Sequence, residues 1–227
     1  MKVLSAHYPE YFPSITFFQK LLFSDVFIII DNIQFSKNKN INRAKIKTKD
    51  GAQWITVPVL KKEKDYQKIF KIKIDSSSNW RRKHLRTIYV SYKNAPYFEK
   101  YFPEIKTIIL LKNIKKLLTL NLKIINYIIN ELEIGKKILI GSKIKLKEKG
   151  RNLISEMLLK TGCNAYLVEK KYDNYLTPIK NKTNIIFKDF KPIFYQQLFN
   201  NFIPDLSIID LLFNYGKESK SIIIETS

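Results

Sequence analysis

The run Asp25-Val26-Phe27-Ile28-Ile29-Ile30-Asp31 carries no polar side chain between its two aspartates. A strand apolar on both faces must be covered on both, which is the condition of a parallel sheet flanked by helices. A shorter apolar run, Val3-Leu4-Ser5-Ala6, precedes it. Between them Ile15, Phe17, Phe18, Leu21, Leu22 and Phe23 recur near helical spacing, with Pro13 or Ser14 as the start. Strand, helix, strand within about thirty residues is the size of a βαβ unit.

The next stretch alternates. Asn42 to Thr48 places Arg43, Lys45 and Lys47 on one face, Lys49-Asp50-Gly51 supplies the turn, and Gln53 to Val59 returns. Lys61-Lys62-Glu63-Lys64-Asp65 reads as a solvated loop and Phe70 to Asp75 as another strand. Ser76 to Asn79 offers caps for a helix from Trp80 through Tyr92, which Asn94-Ala95-Pro96-Tyr97 ends. Tyr97 to Phe102 adds one helical turn. A long helix is expected from Thr107 to Leu132, stopped near Gly135.

Later elements alternate again. They are strands at 137–140, 165–168 and 184–190, a helix from Leu146 to Thr161, and a terminal helix from Leu206 to Phe213. The expected fold is α/β: a mostly parallel, Rossmann-like, three-layer sheet with an inserted antiparallel hairpin and a long helix. No linker divides the chain, so residues 1–227 are expected to form a single domain, with the hairpin excursion at about 40–75 and the helical segment at about 79–134.

Apolar residues make up 45% of the 227, enough for a core. Lys and Arg number 41 against 20 Asp and Glu, a net charge of +21. That balance favours anionic partners. The excess is mostly Lys and is spread along the chain, so a phosphorylated small molecule is expected rather than nucleic acid. Cys163 is the only cysteine, which excludes an internal disulfide and a cysteine zinc site. No signal-peptide pattern and no uncharged apolar run of about 18 residues is present, and a cytoplasmic protein without a transmembrane segment is expected.

Candidate chemistry gathers where strands should end. His7, one of two histidines, follows the first strand in His7-Tyr8-Pro9-Glu10-Tyr11-Phe12-Pro13. In a parallel sheet that loop faces the binding crevice, and the following helix start suits a phosphate. His7 is a candidate proton carrier, with a loop-fixing role as the alternative. Asp31 and Gln34 leave the second strand; Asp31 could orient His7, contact a substrate hydroxyl or hold a divalent ion, with a turn-capping role as the alternative. Asn42, Arg43 and Lys45 open the basic hairpin face, a phosphate-binding strip or a solvated one. Trp80, Lys83 and His84 share a helix face. There is no Walker loop, no Gly-x-Gly-x-x-Gly, no Gly-x-Ser-x-Gly, and no His pair at metal-ligand spacing. No metal site is expected, and no cofactor is indicated.

The whole series resembles one family. It comprises His7-Tyr8-Pro9, Phe12-Pro13, Phe18-Gln19-Lys20, Asp25 to Phe35, Asn42-Arg43, Trp54 to Val59, Trp80, Lys83-His84-Leu85, Ala95-Pro96-Tyr97-Phe98 and Leu206 to Gly216. In order and spacing it is similar to the WbqC-like family of bacterial polysaccharide gene clusters. The resemblance implies a role in O-antigen or surface-polysaccharide synthesis: a transferase acting on a nucleotide-linked amino sugar, such as glycyl transfer to the sugar amine. It carries no settled catalytic assignment but marks positions to watch, of which His7, Asp31 and His84 are the catalytic candidates. Gln34, Asn42, Arg43, Trp54, Tyr97, Asp210 and Asn214 become candidates for substrate binding, joined by Lys45 from the basic hairpin face. A nucleotide-linked sugar and polysaccharide-pathway enzymes are the implied partners. Family members carry a Ser-Gly-x-x-Gly-like loop after the strand matching Ala165-Tyr166-Leu167, whereas 168–176 here has no glycine. That departure keeps a non-catalytic sugar-nucleotide-binding accessory as an alternative, and the net charge keeps a basic nucleic-acid-binding protein as another.

Overall fold

The computed structural model describes residues 1–37, 39–60, 67–180 and 183–225; the charged loop expected at Lys61 to Asp65 lies outside them. The chain opens with β1 (Val3–His7), α1 (Ile15–Leu22) and β2 (Val26–Ile29), as the apolar pattern requires. β1 and β2 pair in parallel, Leu4 opposite Val26 and His7 opposite Ile29. Later come β5 (Lys137–Ile140), α5 (Asn152–Thr161), β6 (Ala165–Glu169), α6 (Asp173–Lys180) and β7 (Ile185–Lys188), after the hairpin of β3 (Arg43–Thr48) and β4 (Gly51–Thr56) and three helices described below. The main sheet runs β5-β2-β1-β6-β7 with every neighbour parallel. The chain therefore winds outward from β1 in one direction through β2 and β5, then restarts beside β1 with β6 and β7. This is the doubly wound α/β arrangement, with its topological switch between β1 and β6.

Alternate residues of the inner strands feed two cores. Phe27 and Ile29 face a large cluster with α1, the hairpin and the middle helices, while Leu4, Ala6, Val26 and Ile28 face a smaller one with Leu153, Ile154 and Met157 of α5. Period-two alternation of apolar side chains explains why β2 has no polar face.

The hairpin turns as expected, Thr48 opposite Gly51, and Gly51 takes the left-handed φ of 110° that the turn demands. Its basic face does not stay in water. Lys47 is buried, and its amine donates to Gln197 Oε1 at 3.1 Å and to the Asn201 carbonyl at 2.6 Å.

Three expectations are corrected. The single long helix is two, α3 (Phe98–Leu110) and α4 (Leu117–Glu131), with α2 (Trp80–Tyr92) before them. The break arises because Ile74 and Ile72 bond Lys115 and Leu117 there, and Arg81 satisfies carbonyls freed at Ile109 and Ile114. The strand expected at Phe70 to Asp75 is a 3-10 turn at Ile69–Lys71, followed by single bridges from Lys73 and Ile74. The helix expected from Leu146 begins only at Asn152, because the Glu156 carboxylate takes the N–H groups of Lys147 and Glu148 outside it. The C-terminal helix α7 (Ile208–Tyr215) is capped by Ser207, whose hydroxyl accepts from Ile209 N–H, and α8 (Ser219–Glu225) follows. No helix among the described residues is long and apolar enough to cross a membrane.

A buried polar knot ties these parts together. Tyr92 donates to Asp210 Oδ2 and Tyr195 to Asp210 Oδ1, both at 2.8 Å, and Tyr92 accepts from Lys47 N–H. Burial raises the Asp210 carboxyl from 3.8 to about 6, against the two tyrosine hydrogen bonds that lower it. Between those values the folded protein holds a proton that the unfolded chain has released, so stability falls as pH rises from about 4 to about 6. A difference of that size corresponds to about 3 kcal/mol. Urea unfolding across pH 4 to 7 is expected to show this decline in the wild type relative to Asp210→Asn. Parallel pH profiles for the two proteins would refute it.

Candidate functional site

β1 ends at His7, in the centre of the sheet, and the chain then turns through Tyr8 to Pro13 before α1. That loop is fixed from several sides. Asn121 donates to the carbonyls of Pro9 and Ile41, Tyr11 N–H bonds the Asn40 carbonyl, and Tyr11 hydroxyl meets His84 Nδ1 at 3.0 Å. Phe12 is held at a left-handed φ of 44°, a conformation a bulky residue adopts only when its surroundings enforce it.

The His7 ring lies between Tyr8 and the edge of Phe17. Its Nδ1 stands 3.0 Å from the Tyr8 carbonyl. A carbonyl only accepts, so Nδ1 carries the hydrogen and Nε2 presents a lone pair. Burial first, and then the charge of Lys20, hold the imidazole well below its ordinary 6.5, so it is neutral at pH 7.

Around His7 is a group of charges that proteins seldom bury. Lys20, on α1, is 4% exposed, and Glu169 Oε1 at the end of β6 lies 3.8 Å from its amine. Lys171 engages the other oxygen of Glu169. Burial lowers Lys20 from 10.5 to about 8, with Glu169 opposing. Glu10 is also buried, and its Oε2 accepts from the Ser14 N–H at 2.7 Å and hydroxyl at 2.9 Å. The start of α1, expected to suit a phosphate, is thus served by an internal carboxylate, and the nearby cations Lys170, Lys171 and Lys188 stand among the carboxylates of Glu169, Asp189 and Asp205.

A crevice of about 330 Å³ opens over this group. Its walls are the His7 loop, the Glu169 to Tyr172 turn after β6 and the Lys188 to Pro192 segment after β7. It lies outside the carboxyl ends of strands at the switch point, where ligands bind in sheets of this order. The glycine-free segment after Val168 forms a wall of it, with Glu169, Lys170, Lys171 and Tyr172 supplying side chains.

Of the residues marked from sequence, His7 lines this crevice. The others sit elsewhere. Asp31 accepts from the N–H and hydroxyl of Ser142 and fastens the ends of β2 and β5. Gln34 bridges Lys68, and Asn42 donates to the Val57 carbonyl. Arg43 stacks 4.3 Å from the exposed Trp54 ring, and the Lys45 carbonyl accepts from Ser207. Tyr97 packs beneath Gly216, where an added Cβ would meet its ring at 2.8 Å. Asp210 is in the buried knot and Asn214 bonds its carbonyl. His84 contacts Tyr11 and the Thr56 backbone, and burial lowers it to about 4. Asp31, Gln34, Asn42 and Arg43 are therefore not among the residues lining the His7 crevice, and the groups around His7 come from its own loop, α1 and the end of β6.

Sequence reading missed Glu10, Lys20, Glu169 and Lys171. Lys20 did leave a signal. It stands three residues after Phe17 and next to Leu21, on the apolar stripe of α1, where a charge is out of place.

The WbqC-like protein family matches residues 8–222. A protein of Mycobacterium tuberculosis (strain ATCC 25618 / H37Rv), named uncharacterized protein Rv1507c, is 31% identical over 228 residues, covering 96% of each chain. No solved structure matches the chain.

With two histidines the imidazoles can be followed individually. Two-bond 1H–15N spectra are expected to show both neutral from pH 8 down to pH 6, with His7 as the Nδ1–H tautomer. A His7 midpoint near 6.5 would contradict the electrostatics described above.

Proposed function

This chain belongs to the WbqC-like protein family, and on that premise we propose that it is a transferase of surface-polysaccharide synthesis, acylating the amine of a nucleotide-linked sugar. The observation that carries the reading is the neutral His7, its Nδ1 committed to the Tyr8 carbonyl, in the wall of a crevice at the sheet's switch point whose other walls bring Lys170, Lys171 and Lys188 together with Glu169, Asp189 and Asp205.

The reaction asks for three things. The sugar nucleotide's phosphates need cations, and Lys171 and Lys188 line the crevice. The acceptor amine needs a base as it attacks the carbonyl of an activated acyl or aminoacyl donor, glycyl in the case the family resemblance suggests. As the N–C bond forms, the amine proton passes to His7 Nε2 and the donor's leaving group departs with its bonding pair. The base must also be unprotonated near neutrality, which burial and Lys20 ensure at His7. The Lys20–Glu169 pair then serves as support beneath the base, holding α1 against β6.

The accessory reading is disfavoured by those buried charges. A binding module gains nothing from desolvating Lys20, Glu10 and His7 side by side, whereas clustered shifted groups in a cleft mark reactive sites.

Purified protein titrated with nucleotide-linked amino sugars is expected to bind at least one of them, and Lys171→Ala to weaken that binding about tenfold or more. His7→Gln is expected to leave binding within about threefold while cutting transfer about 10²–10⁴-fold. Unchanged glycan modification in cells carrying His7→Gln would overturn catalysis by His7.

A further inference from the structure

The crevice continues past the cations. Beside it, a narrow hollow of about 10 Å³, too small for more than a water, is lined by Ile15, Gln19, Tyr195 and Phe202, and the two share Thr16, Pro192 and Asp205. At its rim Phe194 is 77% exposed, its ring centroid 4.6 Å from that of Phe202. An aromatic so exposed is costly in water. The segment bearing it is nevertheless held in place. Phe199, Asn201 and Asp205 take left-handed φ values of 62°, 63° and 55°. The buried Lys47 amine grips the carbonyls of Phe199 and Asn201, and Gln197 exchanges two bonds with Ile203. Backbone strain maintained by a buried lysine beside a crevice indicates a preorganised surface rather than a slack loop.

We propose that the Phe194–Phe202 pair is a nucleobase-stacking subsite and that Asp205, at the junction of the two hollows, receives the ribose hydroxyls. This rests on the sugar-nucleotide reading given above and extends it. The three parts of a nucleoside diphosphate meet three kinds of group in order. Lys171 and Lys188 meet the phosphates, a carboxylate meets the vicinal hydroxyls, and the exposed ring face meets the base. The exposed Phe194 ring, packed on Phe202 beside a crevice that carries both lysines and carboxylates, selects a base stacked on its outer face as the occupant. A free apolar ligand would have no use for the adjoining charges. Asp205 also lies close enough to Lys171 to favour its charged form. An acid beside the phosphate cation suits a sugar hydroxyl better than a second phosphate.

Calorimetry with a panel of nucleoside diphosphates and with inorganic pyrophosphate tests this. At least one nucleoside diphosphate is expected to bind the wild type well above pyrophosphate. Phe194→Ala, on an exposed side chain whose loss leaves the fold intact by circular dichroism, is expected to weaken that nucleoside diphosphate about 5- to 150-fold. Its pyrophosphate affinity is expected to stay unchanged. Phe194→Trp is expected to keep the affinity, with a tryptophan emission that changes on adding the nucleoside diphosphate and not on adding pyrophosphate. Asp205→Asn, which tolerates the same backbone, is expected to erase any preference for the ribo over the deoxyribo form. Unchanged nucleoside diphosphate affinity in Phe194→Ala, or equal binding of nucleoside diphosphate and pyrophosphate to the wild type, overturns the base subsite while the transferase reading stands. Binding of neither probe to the wild type overturns both.

Discussion

β1 is hydrogen-bonded along both edges, to β2 and to β6, and covered on both faces. The rest of the molecule depends on that placement. A strand so enclosed cannot slip in register without turning its core side chains outward, so the residue at its end is fixed in space. That residue is His7. Because the chain leaves β1 towards β2 and returns to its other edge with β6, the loops after β1 and β6 diverge and leave a crevice between them. The position of the crevice is thus a consequence of strand order.

What lies beneath the crevice runs against stability. Taking a lysine and a carboxylate out of water costs on the order of several kcal/mol per ion, and a long ion pair returns only part of it. Lys20 meets Glu169 at 3.8 Å, and Glu10 is buried nearby with hydrogen bonds from the Ser14 N–H and hydroxyl. An apolar residue at position 20 would extend the α1 stripe. The charge sits instead beside His7, where, after burial itself, it lowers the imidazole's affinity for a proton. The Asp210 knot is a different case. There the buried carboxyl has two tyrosine donors and a nearby lysine, and it joins the hairpin, α2, α7 and the 191–205 segment. One polar cluster lies under an open crevice and the other is enclosed between elements of the fold, and only their surroundings separate them.

Much of the fold was legible because local patterns reflected it directly. The uninterrupted apolar run of β2, the Asp50-Gly51 turn and the thirteen residues of α2 each carry their own signal. The split between α3 and α4 was not legible. Residues 105–132 keep a helical stripe across the break, and what ends α3 is pairing with residues 72–74 and the Arg81 guanidinium, both remote in sequence. The same holds at Phe70, whose alternation suggested a strand although among the described residues the segment makes only single bridges, Ile74 with Val59 and Lys73 with Lys116. Among site residues, His7 was legible as a polar group at a strand end. Asp31 satisfied the same rule yet turned to Ser142, because the rule gives the edge of the sheet and not which neighbouring loop reaches over. Lys47 belonged by alternation to a solvated face, and the returning segment at 197–201 buried it.

The sequence by itself determined the α/β class, the hairpin, most of the strands and the importance of the first loop, since these follow from periodicity, turn chemistry and residue type over short spans. Tertiary structure alone decided the strand order, and with it the partners of His7. Glu169 follows His7 by more than 160 positions, and no local pattern encodes that β6 rather than β5 pairs with β1. Proximity across a sheet is set by the global competition of strands for edges, and that competition is resolved only when the whole core is packed.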